Sequence, residues 1–189
     1  MDDAPFVSPD NKKMFFISTR PIEMSDSRKE NIWYVEKTST GWSEPIPVNP
    51  EVNSLQIHWQ VTISNKGTLY FAGKTAEGFG GYDIYVSSLV DGKYVAPVNL
   101  GSQFNSKSEE YSPFIDPNES FIIFSRFIDN GVAVPYISYK SKEGKWLDPV
   151  SLEKYIGNGV CCIVSPDGKY LFKDGFWVSA GFIEELRPK

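Results

Sequence analysis

Four times along the chain, apolar and polar residues alternate with a period of two, break at a polar turn, and alternate again. The runs span Pro5–Ser18, Val61–Gly73, Glu109–Arg126 and Cys162–Phe172. Before the turn stands Val7, Ile63, Ile115 or Val164, β-branched each time, and two positions earlier Pro5, Val61, Pro113 or Cys162. That pattern predicts short strands with alternate side chains on opposite faces, one of them on a core. The turns read Ser-Pro-Asp-Asn, Ser-Asn-Lys-Gly, Asp-Pro-Asn-Glu and Ser-Pro-Asp-Gly. Pro presets φ at the first corner, and Asp, Asn and Gly accept the tight conformations after it. Each run therefore reads as a β-hairpin.

A third strand follows each hairpin, beginning at Asn31, Tyr82, Pro135 and Phe176. A fourth segment follows three of them, from Gly41, Gly92 and Gly144. Here the register is firm. Trp42, Tyr94 and Trp146 stand 52 residues apart, as do Pro45, Pro97 and Pro149. Pro cannot donate to a central ladder, so a proline repeated in the last strand marks an outer edge. Apart from the tail, 181–189, with room for a helical turn or two, no stretch carries a helical period.

Four-stranded units repeated about every 50 residues read as blades of a β-propeller. A blade is apolar on both faces and must stack on its neighbours. The expected fold is all-β: three full blades at 4–49, 57–100 and 110–152, and a partial fourth at 160–180. No Trp-x-x-Pro segment follows Ala180, and only Met1–Asp3 precede the first hairpin run. A standard ring, which often closes by borrowing an N-terminal strand, is not expected to close unaided. A fragment of a larger propeller is the favoured arrangement, over a small irregular four-bladed propeller or two copies that complete each other.

Composition narrows the function. Hydrophobic content of 41% and charged content of 23% mark a globular chain, and 15% aromatics suit pleated, half-buried surfaces. A net charge of −5 disfavours a nucleic-acid partner, which calls for a basic footprint. No run approaches the roughly 18 apolar residues that span a bilayer. The opening Met-Asp-Asp-Ala-Pro-Phe is acidic and short, unlike a secretory leader. Cys161 and Cys162 are adjacent, so one is expected to face the core and the other not, as free thiols.

The Ser-Pro-Asp-Gly turn and its variants before an aliphatic strand, with Gly-Gly-Tyr-Asp-Ile-Tyr-Val-Ser and Pro-Val-Asn-Leu-Gly-Ser-Gln-Phe-Asn-Ser between hairpins, resemble the bacterial WD-like propeller repeats named for their Pro-Asp turn. The chain is similar, along nearly its whole length, to the periplasmic propeller of the Tol system. It is also similar to propeller modules of outer-membrane-associated proteins. The resemblance implies a propeller in the periplasm or cell envelope. It does not imply an activity.

Propellers bind ligands on the loops at one end of the channel. Here those are 49–59, 101–111 and 153–160, with 19–30, 74–81 and 127–134. His58, Trp59 and Gln60, with Glu109, Glu110 and Tyr111 one blade on, would stand at the channel mouth. They would either bind a peptide or sugar or simply seal the axis. Arg20, Lys74 and Arg126 each follow a second strand and could form a partial cationic ring, or bond loop carbonyls. Asp83, after Gly-Phe-Gly-Gly-Tyr, is expected to cap its own turn, with the glycines supplying unusual backbone angles. One carboxylate falls far short of the about six to eight oxygens calcium takes. One histidine cannot build a multi-histidine metal site, and no Gly-x-Ser-x-Gly elbow occurs. No cofactor or metal is expected. The expected function is a non-catalytic module binding protein or cell-envelope glycan. The alternative is a glycoside hydrolase or lyase drawing acids from Glu109, Glu110, Asp116 or Asp148. Open blade edges also allow self-association.

Overall fold

Every hairpin gains a third strand, and three gain a fourth. The computed structural model of the chain describes residues 1–22, 29–128 and 131–189. Blade 1 holds β1 (Asp2–Val7), β2 (Lys13–Ser18), β3 (Asn31–Glu36) and β4 (Ile46–Pro47), hydrogen-bonded in that order. Helix α1 (Pro50–Asn53) leads to blade 2, with β5 (Gln56–Ile63), β6 (Leu69–Lys74) and β7 (Asp83–Ser87). A small hairpin, β8 (Leu89–Val90) and β9 (Lys93–Tyr94), precedes its outer strand β10 (Val98–Asn99). Blade 3 comprises β11 (Glu109–Ile115), β12 (Phe121–Ile128), β13 (Val132–Tyr139) and β14 (Val150–Ser151). After α2 (Glu153–Ile156), blade 4 has three strands, β15 (Ile163–Val164), β16 (Tyr170–Lys173) and β17 (Phe176–Ser179). Helix α3 (Gly181–Glu185) follows. All pairings are antiparallel, and the sheets form a four-bladed propeller arrangement.

The outer strands are only two residues long and begin just after Pro45, Pro97 and Pro149. The prolines thus stand before the outer strands rather than within them, because Pro has no N–H for the ladder. Short helices α1 and α2 were not foreseen in the inter-blade loops. Val52 in α1, Phe104 in the matching turn after blade 2 and Ile156 in α2 recur at the repeat spacing, and all three are buried.

Stacking follows residue parity along the second strands. Met14, Leu69, Ile122 and Leu171 pair with the residue before each turn, and so face the preceding blade. The next residues, Phe15, Tyr70, Ile123 and Phe172, face the following blade. Three of them are sealed, at 1%, 3% and 0% exposure, while Phe172 is 47% exposed. Its neighbours on the same face, Tyr170 and Trp177, are exposed too and pack edge to face at 5.0 Å. Val7, on the opposite side of the seam, is also exposed, unlike Ile63, Ile115 and Val164. Three apolar clusters thus join blades 1 to 2, 2 to 3 and 3 to 4, and the outward face of blade 4 is left open.

Two asparagines 52 residues apart tie each inter-blade connection back to the third strand of the blade before it. The Asn53 Oδ1 accepts from the Ile32 N–H at 2.8 Å and its Nδ2 donates to the Ile32 carbonyl at 3.1 Å. Asn105 grips Ile84 in the same way, at 2.8 and 3.1 Å. At the far end of the channel, the turns of blades 2 and 3 meet at Glu119. Its carboxylate accepts from Ser64 at 2.9 Å and from Lys66 and Lys140, both at 3.1 Å. Burial pushes the Glu119 pKa up, but these three donors outweigh it and hold the carboxyl near 2. In the Pro-Asp turns, Asp10 and Asp167 accept from Ser8 and Ser165, both at 2.6 Å, and are held below the ordinary carboxylate range by those bonds.

Asn105→Ala strands a buried N–H and carbonyl. We expect a loss of about 2–3 kcal/mol, seen as a fall in Tm of roughly 5–10 °C in calorimetry. Glu119→Gln is expected to lower stability by roughly 2 kcal/mol at neutral pH. Because the folded pKa lies below the ordinary 4.5, that contribution is whole above pH 4.5 and fades as pH falls towards 2. Denaturant midpoints of wild type and variant should therefore converge across that interval.

Candidate functional site

The inner strands bend at one repeated place. Register shifts fall between Asp3 and Phe6 in β1, between His58 and Val61 in β5, and between Tyr111 and Phe114 in β11. Each bulge opens with a non-glycine residue in left-handed conformation: Ala4 (φ 49°), Trp59 (φ 65°) and Ser112 (φ 50°). Cys161 (φ 56°) holds the matching place ahead of β15. Such backbone costs on the order of 1 kcal/mol per residue and collects where a side chain must be aimed. Pro5 and Pro113 take the second bulge position, which needs no ladder N–H. In blade 2 that position belongs to Gln60, one residue earlier than hairpin spacing suggests, because β5 carries an extra residue between bulge and turn.

The bulge in β5 presents an aromatic cluster where the inner strands begin. The His58 ring stacks on Trp59 at 5.0 Å and lies 5.2 Å from Tyr82 and 5.7 Å from Tyr111. Tyr111 in turn meets Trp59 at 5.3 Å, Tyr82 at 5.2 Å and Phe127 at 5.4 Å. Glu30 sets the geometry: its Oε2 lies 2.6 Å from the His58 Nδ1 and accepts from the Trp59 backbone N–H at 3.3 Å. Gln56 donates to the Tyr82 hydroxyl at 2.8 Å. Burial, and then the nearby Glu109 carboxylate, push the Tyr111 hydroxyl well above its ordinary pKa, so it stays protonated.

The other singled-out residues have different surroundings. Glu110 is fully buried, bound by the Arg126 Nε at 2.7 Å and by Ser106 through its backbone N–H (3.0 Å) and hydroxyl (2.7 Å). Arg126 also donates to the Phe104 carbonyl at 2.7 Å. Arg20 pairs with Asp2 at 2.7 Å, and Lys74 lies 5.9 Å from the Tyr82 ring. The three cations thus serve separate partners rather than one ring. Asp116 accepts from Asn118 and Ser120 within its turn, and Asp148 accepts from Gln103 at 3.0 Å. Asp83 does cap its loop, accepting from the Phe79 N–H and the Asn99 amide, both at 2.8 Å. The glycines beside it serve close approach rather than unusual angles. A Cβ on Gly80 would collide with the Ser106 and Ser108 carbonyls, and one on Gly81 with Glu109. Loop residues 23–28 and 129–130, within the expected loops 19–30 and 127–134, lie outside the described residues.

Sequence reasoning missed Glu30, Tyr82 and the bulge conformation. Tyr82 was legible as the residue before a strand, but nothing in the sequence aimed it at His58. Among the described residues, no group of three or more His, Cys, Asp and Glu side chains is placed to hold a metal, and no helix is long and apolar enough to cross a membrane.

No protein-family profile matches the chain, and no curated protein matches it. Solved structures do. A chain of the hydrazine synthase of Kuenenia stuttgartiensis superposes on 93% of this chain at 14% identity, with a TM-score of 0.52, and 57% of its own length is covered. A Bacteroides uniformis protein, provisionally named a 6-phosphogluconolactonase, matches over 92% of this chain at 16% identity and a TM-score of 0.47, with 47% of its own length covered. The chain thus spans about half the length of the structures it matches. At such identities the likeness speaks for the fold alone, and what it identifies is a β-propeller.

Proposed function

We propose that this propeller is a non-catalytic module that binds a protein segment at the channel mouth, over His58, Trp59 and Tyr82, with the buried Tyr111 supporting them from beneath. The observation that carries this reading is the aromatic cluster itself, held on a strained inner strand and flanked by Glu30 and Glu109. Aromatic rings beside carboxylates suit aromatic and cationic side chains, the usual anchors of protein interfaces. The acidic net charge favours encounter with a basic segment. Three of the four carboxylates weighed for glycoside hydrolysis are occupied structurally, which leaves Glu109 without a second acid and favours binding over catalysis. Glu110 is neutralised by Arg126, and Asp116 and Asp148 hold turn and loop groups.

The Pro-Asp turns support membership in the bacterial repeat family they resemble, and with it a place in the periplasm or cell envelope. Asp10 and Asp167 make the same pair of bonds, to a Ser hydroxyl two residues back and an N–H two residues on.

Titration calorimetry against a peptide of alternating Arg and Trp, and in parallel against peptidoglycan oligosaccharides, tests the reading. Trp59→Ala keeps a residue type that tolerates the left-handed site, as Ala4 does. We expect it to weaken peptide binding about tenfold or more. High salt should weaken binding as well. Oligosaccharide binding without peptide binding would transfer the site to a glycan.

A further inference from the structure

Next to the aromatic cluster, and sharing Trp59 with it, lies a second concavity between the inner strands. It is a cavity of about 250 Å³ lined by Asp3, Pro5 and Phe6 of blade 1, Trp59 and Gln60 of blade 2, and Cys161 and Ile163 at blade 4. Its walls are mostly apolar. An apolar cavity of about 150 Å³ already admits a benzene ring, so this one holds a ring with a few further atoms.

One buried polar group faces this space with half its hydrogen bonding unused. Gln60 is 4% exposed. Its Nε2 donates to the Pro113 carbonyl at a long 3.4 Å, which fixes the amide orientation and leaves Oε1 as the acceptor. Among the described residues no group donates to that oxygen. That oxygen is not one of the sealed, partnerless polar atoms of the interior, so it stays accessible at the cavity wall, where a ligand O–H or N–H can donate to it. The wall opposite carries the exposed Cys161 thiol, 3.4 Å from the Ser112 hydroxyl.

We propose that this axial cavity binds a small planar aromatic molecule carrying one hydrogen-bond donor, a phenol or an indole. The ring occupies the apolar space between Phe6, Trp59 and Ile163, and its O–H or N–H donates to Gln60. The cavity shares Trp59 with the peptide site at the mouth but adds its own acceptor, Gln60, and is read through Cys161 rather than through peptide binding.

The two cysteines supply the readout. Cys162 is buried, and burial pushes its thiol up to about 12, so Ellman's reagent reports on Cys161 alone. p-Cresol and indole are expected to slow labelling of Cys161 saturably. 4-Methylanisole and 1-methylindole, which lack the donor, should bind about tenfold more weakly. Gln60→Leu should erase that difference between each pair. Because Gln60 is buried, its thermal melt is checked alongside. Ile163→Trp, which fills the cavity from its rim and keeps the thiol, should abolish protection by all four compounds even if the Gln60 variant does not fold. The proposal is overturned if no compound protects Cys161, if the methylated compounds protect equally well, or if protection survives in Ile163→Trp.

Discussion

Each blade here is a sheet with two apolar faces, and no sheet in water can shelter both by itself. Only a neighbour built to the same plan supplies the missing cover, which is why three separate clusters between blades, with a small fourth on blade 1 around Phe16 and Trp33, make up the core rather than one centre. The residues Phe15, Tyr70 and Ile123 show the rule satisfied. Phe172, Tyr170 and Trp177 show it unsatisfied, on a sheet that also lacks a fourth strand. Stacking therefore orders the blades around an axis, and everything at the axis inherits its position from that packing.

The inner strands then depart from regular β geometry at the one height where they converge. Left-handed Ala4, Trp59, Ser112 and Cys161 recur blade by blade, although their side chains share nothing chemically. A common backbone distortion with unrelated side chains is what a scaffold produces when it holds a ring of positions constant and lets their chemistry vary. Glu30 shows how one blade tunes the next, fixing both the His58 ring and the Trp59 backbone from across the interface.

Buried polar groups supply the specificity that apolar stacking lacks. Asn53 and Asn105 clamp the third strands at one end of the channel, and Glu119 joins the turns of blades 2 and 3 at the other. The Arg126 and Glu110 pair lies at the Asn105 end, bonded to its neighbours Phe104 and Ser106. Each arrangement satisfies nearly all of its donors and acceptors, so a slip of one blade against another would leave charges or amides buried without partners.

The sequence by itself determined the hairpins, their turns, the third and outer strands and their order, though not the small β8–β9 hairpin, because period-two alternation and turn chemistry act between near neighbours in the chain. It also placed His58, Trp59 and Tyr111 at one end of the channel, since the repeat assigns each a position within its blade. Asn53 and Asn105 stand in register with Trp42 and Tyr94, but spacing alone did not mark them as clamps on the third strands. Only the tertiary structure decided that Glu110 and Arg126 neutralise each other while Glu30 and Tyr82 join the aromatic cluster. The same holds for Gln60, which takes a bulge position and turns towards a cavity. Those outcomes depend on the angle between blades and on a left-handed residue at each bulge, and a local alternation pattern encodes neither.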